Sequence, residues 1–436
     1  MRNESKTGQN KAGGIVEFLN EKGVIKVCEG RIISCNDERN CWRPLDKKKF
    51  QVFVRQHLTD AANFKVSSTV IEEIRKRILY DVRFQIKEEV FRHEQMMHVV
   101  NGLVDLKTGE LYPEGSHMHF DYRCEFAYLE EKEIHAETFE KFIETSLQGD
   151  QCKRRLLLQI LGYCLSDYAE AKAAFFLIGA GDSGKSVILE FLMKVLAEEE
   201  ISAIPFNRIG DRFNRALLAS ARVNICSELT SGKLGNIDFF KAVTSQEVIF
   251  AEEKGSDPFQ FRVRTKLLSA GNVMPQIPEA VGAEALLRRM VILYFPESVK
   301  KEEQDRNLLS KLIKEKDQIC TLAVRELIQL RESDFVFEQP DDAKNYEEQL
   351  HLNFGALKEF VHECCEIGKG KRSHLCQLWD AFRDFCEDNL YDPQIKKLQF
   401  RQEIALIPGV SVSKFRLNTK NPQSGFVGIG LKSKRE

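Results

Sequence analysis

No apolar run in this chain approaches the roughly 18 residues that a membrane-crossing helix needs. The first residues, MRNESKTGQNKAGG, lack the apolar segment of a secretory signal. Both absences argue against a membrane-spanning or exported class and make the cytosol (bacterial or viral-host) the expected location. An excess of one charge is also missing: 64 Lys and Arg face 66 Asp and Glu, for a net charge of −2. That excludes a wholly basic nucleic-acid coat, though not a local basic patch. No internal repeat or low-complexity tract interrupts the 436 residues. Twelve cysteines are present, yet no two are separated by the two to four residues of a zinc knuckle, and Cys364 and Cys365 are adjacent. Reduced thiols are the better reading, with a zinc site from Cys28, Cys35, Cys41 and a distant His as the weaker alternative.

What is present reads as globular: 43% hydrophobic and 30% charged residues, over a length that suits two to four domains. The polar, glycine-containing first dozen residues read as a flexible lead-in, followed from Gly14 to about Phe50 by a small β-rich unit. Charge-dense helical periodicity runs from about Thr69 to Gln95, and a strand-and-turn segment, VNGLVDLKTGELYP, comes next. Helical spacing returns between Phe139 and Tyr168. From Ala173 the pattern changes to short apolar runs, AAFFLI, RVNIC, TKLLSAG and MVILYF, alternating with helix, which implies a parallel α/β sheet. Beyond Pro296 the chain reads as helical to about Arg331, then as a loop around Pro340, then as a helical segment ending in a basic, strand-prone tail.

The strongest chemical signal is Gly179-Ala180-Gly181-Asp182-Ser183-Gly184-Lys185-Ser186, the pattern G-x-x-x-x-G-K-[ST]. Glycines let successive N–H groups turn inward toward phosphate oxygens at a helix N-terminus. In such a loop the lysine reaches the β- and γ-phosphates and the hydroxyl ligates Mg²⁺, roles that fall to Lys185 and Ser186. Four fixed positions arise by chance in a chain of this size about once or twice in a hundred, and here the strand before and the helix after are also right. A nucleoside triphosphatase with ATP and Mg²⁺ follows.

Such an enzyme needs a carboxylate at the end of a neighbouring strand, and RVNICSE puts Glu228 there, as a magnesium-shell and water-polarising residue or as an ordinary surface acid. The third strand ends at Asn272, an amide able to hydrogen-bond a γ-phosphate, although Asn is also common in strand-end turns. Arg288 and Arg289 precede MVILYF; they suit an arginine finger reaching a neighbour's phosphates, or a solvated pair. Between the second and third strands, KAVTSQEVIFAEEKGSDPFQFRVRTK reads as a helix and a hairpin with Lys254 near its tip, a cation suited to a phosphate backbone. From Lys396 to the end, nine cations face two acids, a charge of +7. Lys396, Lys397, Arg401, Lys414, Arg416 and Lys420 suit salt-dependent phosphate contacts, or form a solvated basic surface.

As an ordered set, GAGDSGKS, NICSE, the hairpin segment, LLSAGNVMPQIP and EALLRRMVILYFPE resemble the superfamily 3 helicases, and most closely the helicase half of phage, plasmid and poxvirus primase–helicases. The resemblance spans about residues 95–436. It implies a P-loop NTPase core of AAA+-like α/β fold, an N-terminal α+β and helical region, and a C-terminal winged-helix domain. The corresponding division is 1–95, a pre-helicase helical collar at 96–168, the ATPase core at 169–300, a helical lid and linker at 301–345, and the winged helix at 346–436. By this resemblance Lys185 and Ser186 bind ATP and Mg²⁺, Glu228 is the acidic catalytic residue, and Asn272 is the polar sensor. Arg289, with Arg288 as fallback, acts in trans, and Lys254 tracks DNA. Ser183 stands where Asn is usual, and Glu252-Glu253 and Gly255-Ser256 replace basic and aromatic–basic pairs of the family hairpin. The implied protein is an ATP-driven helicase of a phage, plasmid or other mobile element. It would form a homo-oligomeric ring, a hexamer, on single-stranded and forked DNA, with an origin duplex as a further partner. Two alternatives are a DNA-stimulated loader or remodeller, favoured by the acidic hairpin, and an origin-binding initiator that uses ATP for assembly.

Overall fold

In a computed structural model, which describes residues 2–36, 41–59, 66–91, 93, 95–114, 119–229, 237–252, 258–274, 287–391, 395–405, 407, 409–416 and 422–432, the chain opens on a helix, α1 (Arg2–Lys22). The expected flexible lead-in is therefore corrected. Ala12, Val16 and Leu19 lie at helical spacing and are buried against Ile71, Ile74 and Ile78, so tertiary packing overrides the polar composition and the three glycines. The strands β1 (Ile25–Cys28), β2 (Arg31–Asn36) and β3 (Cys41–Pro44) follow, then α2 (Lys47–Thr59), α3 (Ser68–Tyr80) and the short β4 (Gln85–Ile86). They form a sheet of order β3-β2-β1-β4 beneath the three helices. An antiparallel meander, β5 (Met96–Val99), β6 (Gly102–Asp105) and β7 (Leu111–Tyr112), comes next, so the helical reading of 69–95 holds only for α3.

Helices α4 (Glu137–Leu147) and α5 (Gln151–Leu165) lead into the central sheet. Its strands are β8 (Ala174–Gly179), β9 (Ile201–Ser202), β10 (Val223–Cys226), β13 (Lys266–Gly271) and β14 (Met290–Phe295), all parallel, in the order β14-β8-β13-β10-β9. Helix α6 (Lys185–Val195) follows β8, and α7 (Ile237–Thr244) precedes an antiparallel hairpin of β11 (Val248–Ala251) and β12 (Phe259–Arg262). Period-two alternation divides the buried strands between two cores. Phe175, Leu177, Leu268 and Val291 face the side of α5 and α6, while Phe176, Ile178, Leu267 and Ile292 face Phe206 and Phe240.

After β14 the chain is irregular until α8 (Leu308–Lys314) and α9 (Lys316–Glu332), so helix begins later than Pro296. Helix α9 packs on α5 where Gly162 leaves room: a Cβ there would lie 2.3 Å from the Ala323 carbonyl oxygen. The last unit comprises α10 (Asp341–Cys364), β15 (Cys365–His374), α11 (Leu375–Asp388), α12 (Lys397–Ile404), β16 (Ser411–Phe415) and β17 (Gln423–Leu431). Its antiparallel sheet, β15-β17-β16, encloses Phe360, Phe382, Phe400 and Phe426 with the helices. The helices α10 to α12 and the strands β16 and β17 fit the expected helical segment and strand-prone tail. The strand β15 between the helices carries too many charges to show in the apolar pattern. Among the described residues no helix is long and apolar enough to cross a membrane.

At the N-terminal ends of the central strands lies a buried layer of charge. Arg222 donates to Asp167 at 2.8 Å, and its guanidinium sits 3.3 Å from the centre of the Tyr122 ring. Lys266 donates to the carbonyl of Ser166 at 3.0 Å, and burial, outweighing the pull of Asp167, pushes its ammonium down to about 7. Below that pH Lys266 is charged in both folded and unfolded chains. Above it the folded chain loses a proton that the unfolded lysine keeps, so the unfolded state binds more protons and stability rises with pH. Between pH 7 and about 8.5, denaturant midpoints of the wild type are expected to rise relative to those of Lys266→Met; parallel curves would refute this.

Candidate nucleotide site at the strand ends

The segment 179–186 joins β8 to α6, as the glycine spacing requires. Gly179 has φ +145°, and a Cβ there would fall 1.8 Å from the carbonyl oxygen of Phe295 on β14. Gly184, at φ +97°, packs so closely that a Cβ would lie 2.7 Å from Phe142 and 2.8 Å from Ser146 Oγ. Only glycine combines these dihedrals with this closeness. Asp182 takes φ +53°, a conformation that Asp tolerates, and its carbonyl accepts from the N–H of Val299 at 3.1 Å.

Lys185 is buried at the first turn of α6. Its Nζ donates to the carbonyl of Gly179 at 3.0 Å, to the carbonyl of Ala180, and to Ser183 Oγ at 3.0 Å. Burial lowers its pKa, against the opposing effect of Asp182. Ser186 is exposed beside it. A cleft of about 530 Å³ opens over Asp182, Ser183, Gly184, Lys185 and Ser186. Its other walls come from α4, through Thr138, Lys141 and Phe142, and from the segment entering α8, through Val299, Gln304 and Leu308. Glu315 fixes these walls to each other by accepting the N–H groups of Thr138 and Phe139 at 2.9 and 3.0 Å, at the N-terminus of α4. None of these wall residues carries a motif, and they reach the loop from segments well before it and over a hundred residues after it, so no local signal marked them.

Glu228 and Asn272 are exposed just beyond the C-terminal ends of β10 and β13, at the same end of the sheet as the loop. The N–H of Leu229 donates to the Ala270 carbonyl at 2.8 Å, which ties these two turns together. One expectation is corrected here: the strand bearing Glu228 is not the immediate neighbour of β8, because β13 is inserted between them. Strand order depends on non-local pairing that motif order does not encode. Arg288 is exposed and Arg289 half-buried at the opposite end, before β14. Six residues of strand, about 20 Å at the usual rise, separate them from the loop of their own chain.

The hairpin is formed as expected, but Lys254 at its tip lies outside the described residues, as does Lys420. Directly after β11, where the chain enters the turn, Glu252 is ion-paired with Arg212. Lys396 and Lys397 open α12 and Arg401 lies on it; Lys414 is on β16 and Arg416 directly follows it. Lys396, Lys414 and Arg416 are exposed, whereas Lys397 donates to Cys376 Sγ at 3.4 Å. The loop, the acid and the amide are therefore brought to one end of one sheet, the arginine pair to its other end, and the tail cations to a separate unit.

A family described as of unknown function (DUF5906) matches residues 177–289, from within β8 to the start of β14. Among solved structures, the A form apo structure of the NrS-1 C-terminal region is similar over 95% of this chain and 98% of that chain, with 11% identity and a TM-score of 0.50. Two further apo structures of that region align over 95% of this chain, at 11% and 12% identity, with TM-scores of 0.49 and 0.47. At this identity the first likeness shows a shared fold and nothing finer.

The closeness of Gly179 to Phe295 makes Gly179→Ala a sharp test of the loop geometry. The variant is expected to lose about 3 kcal/mol through forced separation of β8 and β14, seen as a melting temperature lower by several degrees. An unchanged melting temperature would refute the contact.

Proposed function

We propose that the protein is an ATP-driven DNA helicase serving replication of a phage, plasmid or other mobile element, acting as a ring with ATP between subunits. The carrying observation is the split of the sheet. Lys185, Ser186, Glu228 and Asn272 share one end, while Arg288 and Arg289 sit a strand length away, where they reach a neighbour's phosphates rather than their own.

In this reading the central domain is a P-loop NTPase core and the last unit a winged helix. The inward N–H groups of 181–186 and the positive end of α6 hold the phosphates. A bound polyphosphate draws the Lys185 ammonium away from the carbonyls of Gly179 and Ala180. The hydroxyl of Ser186 and the carboxylate of Glu228 are hard oxygen donors that suit Mg²⁺, which when bound offsets charge on the phosphates. Glu228 polarises the attacking water, Asn272 hydrogen-bonds the γ-phosphate, and Arg289 of the adjacent subunit stabilises charge in the transition state, with Arg288 as its substitute. The hairpin bearing Lys254 moves along single-stranded DNA. The cations of α12 and β16, with Lys420, grip duplex DNA by phosphate contacts. The pairing of Glu252 with Arg212 offsets one acidic charge at the turn end of the hairpin, which removes part of the reason for preferring a loader that does not unwind.

Strand displacement from a forked duplex with ATP and Mg²⁺ tests the reading. Wild type is expected to unwind and Lys185→Ala to be inactive; robust hydrolysis without separation of forks of either polarity would sink the helicase assignment. For the shared site, Arg289→Ala alone is expected to lose about 10³-fold in hydrolysis. Mixing it with Lys185→Ala is expected to restore part of the rate, since one interface then carries an intact lysine and an intact arginine. No recovery on mixing would refute the arrangement in trans.

A further inference from the structure

A second cleft, of about 400 Å³, lies at the other end of the central sheet, between it and the N-terminal sheet. Its volume falls in the range of ligand sites. Six cations line it, Arg31, Arg43, Lys49, Arg222, Arg262 and Arg264, against the acids Glu29, Asp121, Glu199 and Glu200. Two of the acids are engaged within the wall: Asp121 accepts from Arg264 at 2.7 Å, and Glu200 is paired with Arg43. Arg222 is likewise held by Asp167, which leaves Arg31, Lys49 and Arg262 facing Glu29 and Glu199, a small cationic excess in a chain of net charge −2. It also offers flat surfaces. The Arg31 guanidinium lies 4.7 Å over the ring of Phe259, which stands 5.8 Å from that of Phe261, and Trp42 also lines the cleft.

We propose that this cleft binds a nucleotide unit of single-stranded DNA, holding its phosphate with Lys49 and Arg262 and its base against the Phe261 and Arg31 surface. Three observations favour a strand over a free nucleotide. Gln260, Phe261 and Arg262 belong to β12, one arm of the β11–β12 hairpin, so the cleft borders the element to which the helicase reading assigns the strand. The lining cations are separate side chains, which suits the single phosphates of a backbone, whereas a triphosphate calls for a nest of N–H groups like that at 181–186. The cleft also lies at the sheet end opposite Lys185, so it is distinct from the site proposed for ATP. The choice of a strand rests on the helicase reading; the cationic, aromatic cleft does not.

The chain has two tryptophans, Trp42 and Trp379, so Trp379→Phe leaves one reporter in the cleft wall. In that protein, oligothymidylate of about 16 nucleotides is expected to change Trp42 emission, and dTMP at the same nucleotide concentration is not. Adding Lys49→Ala and Arg262→Ala together is expected to weaken binding at least tenfold and to lower the slope of log affinity on log salt by about 1.4, or 0.7 per contact. Lys49→Ala alone, an exposed change, is expected to lower it by about 0.7. Emission that stays fixed while anisotropy reports oligonucleotide binding, or slopes unaltered in both variants, would overturn the proposal. An equal response to dTMP would overturn the strand and make this a free-nucleotide site. The fork assay separates the two readings. Forks opened with Trp42 unmoved refute the cleft alone, and Trp42 responding without unwinding refutes the helicase alone.

Discussion

β8 pairs on both sides, with β13 and with β14, and every one of its side chains is buried. That double pairing aims the loop 179–186: Gly179 closes on the carbonyl of Phe295, and Gly184 closes on Phe142 of α4. A strand bonded on one side only would leave the loop free to pivot. Here the pivot is removed by backbone contact, so Lys185 enters α6 at a set point. The position of the phosphate-type loop is thus a consequence of sheet packing more than of its own glycines.

The same sheet separates two kinds of electrostatics. At its C-terminal ends the groups are N–H donors, one lysine held by carbonyls, and exposed Glu228 and Asn272, an arrangement open to an anion from solvent. At its N-terminal ends the charges are buried and already matched, with Arg222 on Asp167 and Tyr122, and Lys266 on a carbonyl. Burial opposes ionisation of Asp167, but Arg222, Arg264 and Lys266 together hold its carboxyl below the usual range. Breaking one partner of such a layer leaves an unmatched buried charge, which makes this end a rigid floor. The N-terminal sheet is fastened to that floor through Arg43, which pairs with Glu200 beside β9. The second cleft lies at this junction.

Legibility from sequence followed the range of the interaction. The strands around AAFFLI, RVNIC, TKLLSAG and MVILYF, the helix after Lys185 and the hairpin after α7 were all readable, because burial on both faces or turn chemistry leaves a local mark. The helix α1 was not, since polar residues and three glycines concealed three apolar positions whose partners lie on α3. Strand β15 escaped for the converse reason: it is charged, and its place in a sheet depends on pairing with β17, some sixty residues on. The insertion of β13 between β8 and β10 left no trace in motif order.

The eight residues from Gly179 to Ser186 determined by themselves that an N–H-rich turn precedes a helix with a lysine in its first turn, because dihedral permissiveness and residue spacing are local properties. Likewise the tail's charge of +7 is a matter of composition. Only the tertiary structure decided that Glu228 and Asn272 share an end with that loop, and that Arg288 and Arg289 lie a strand away. It also decided that Thr138, Phe142, Val299 and Leu308 wall the cleft. These placements come from parallel pairing and helix docking between segments distant in the chain, whose energies reside in contacts that no single stretch of sequence contains.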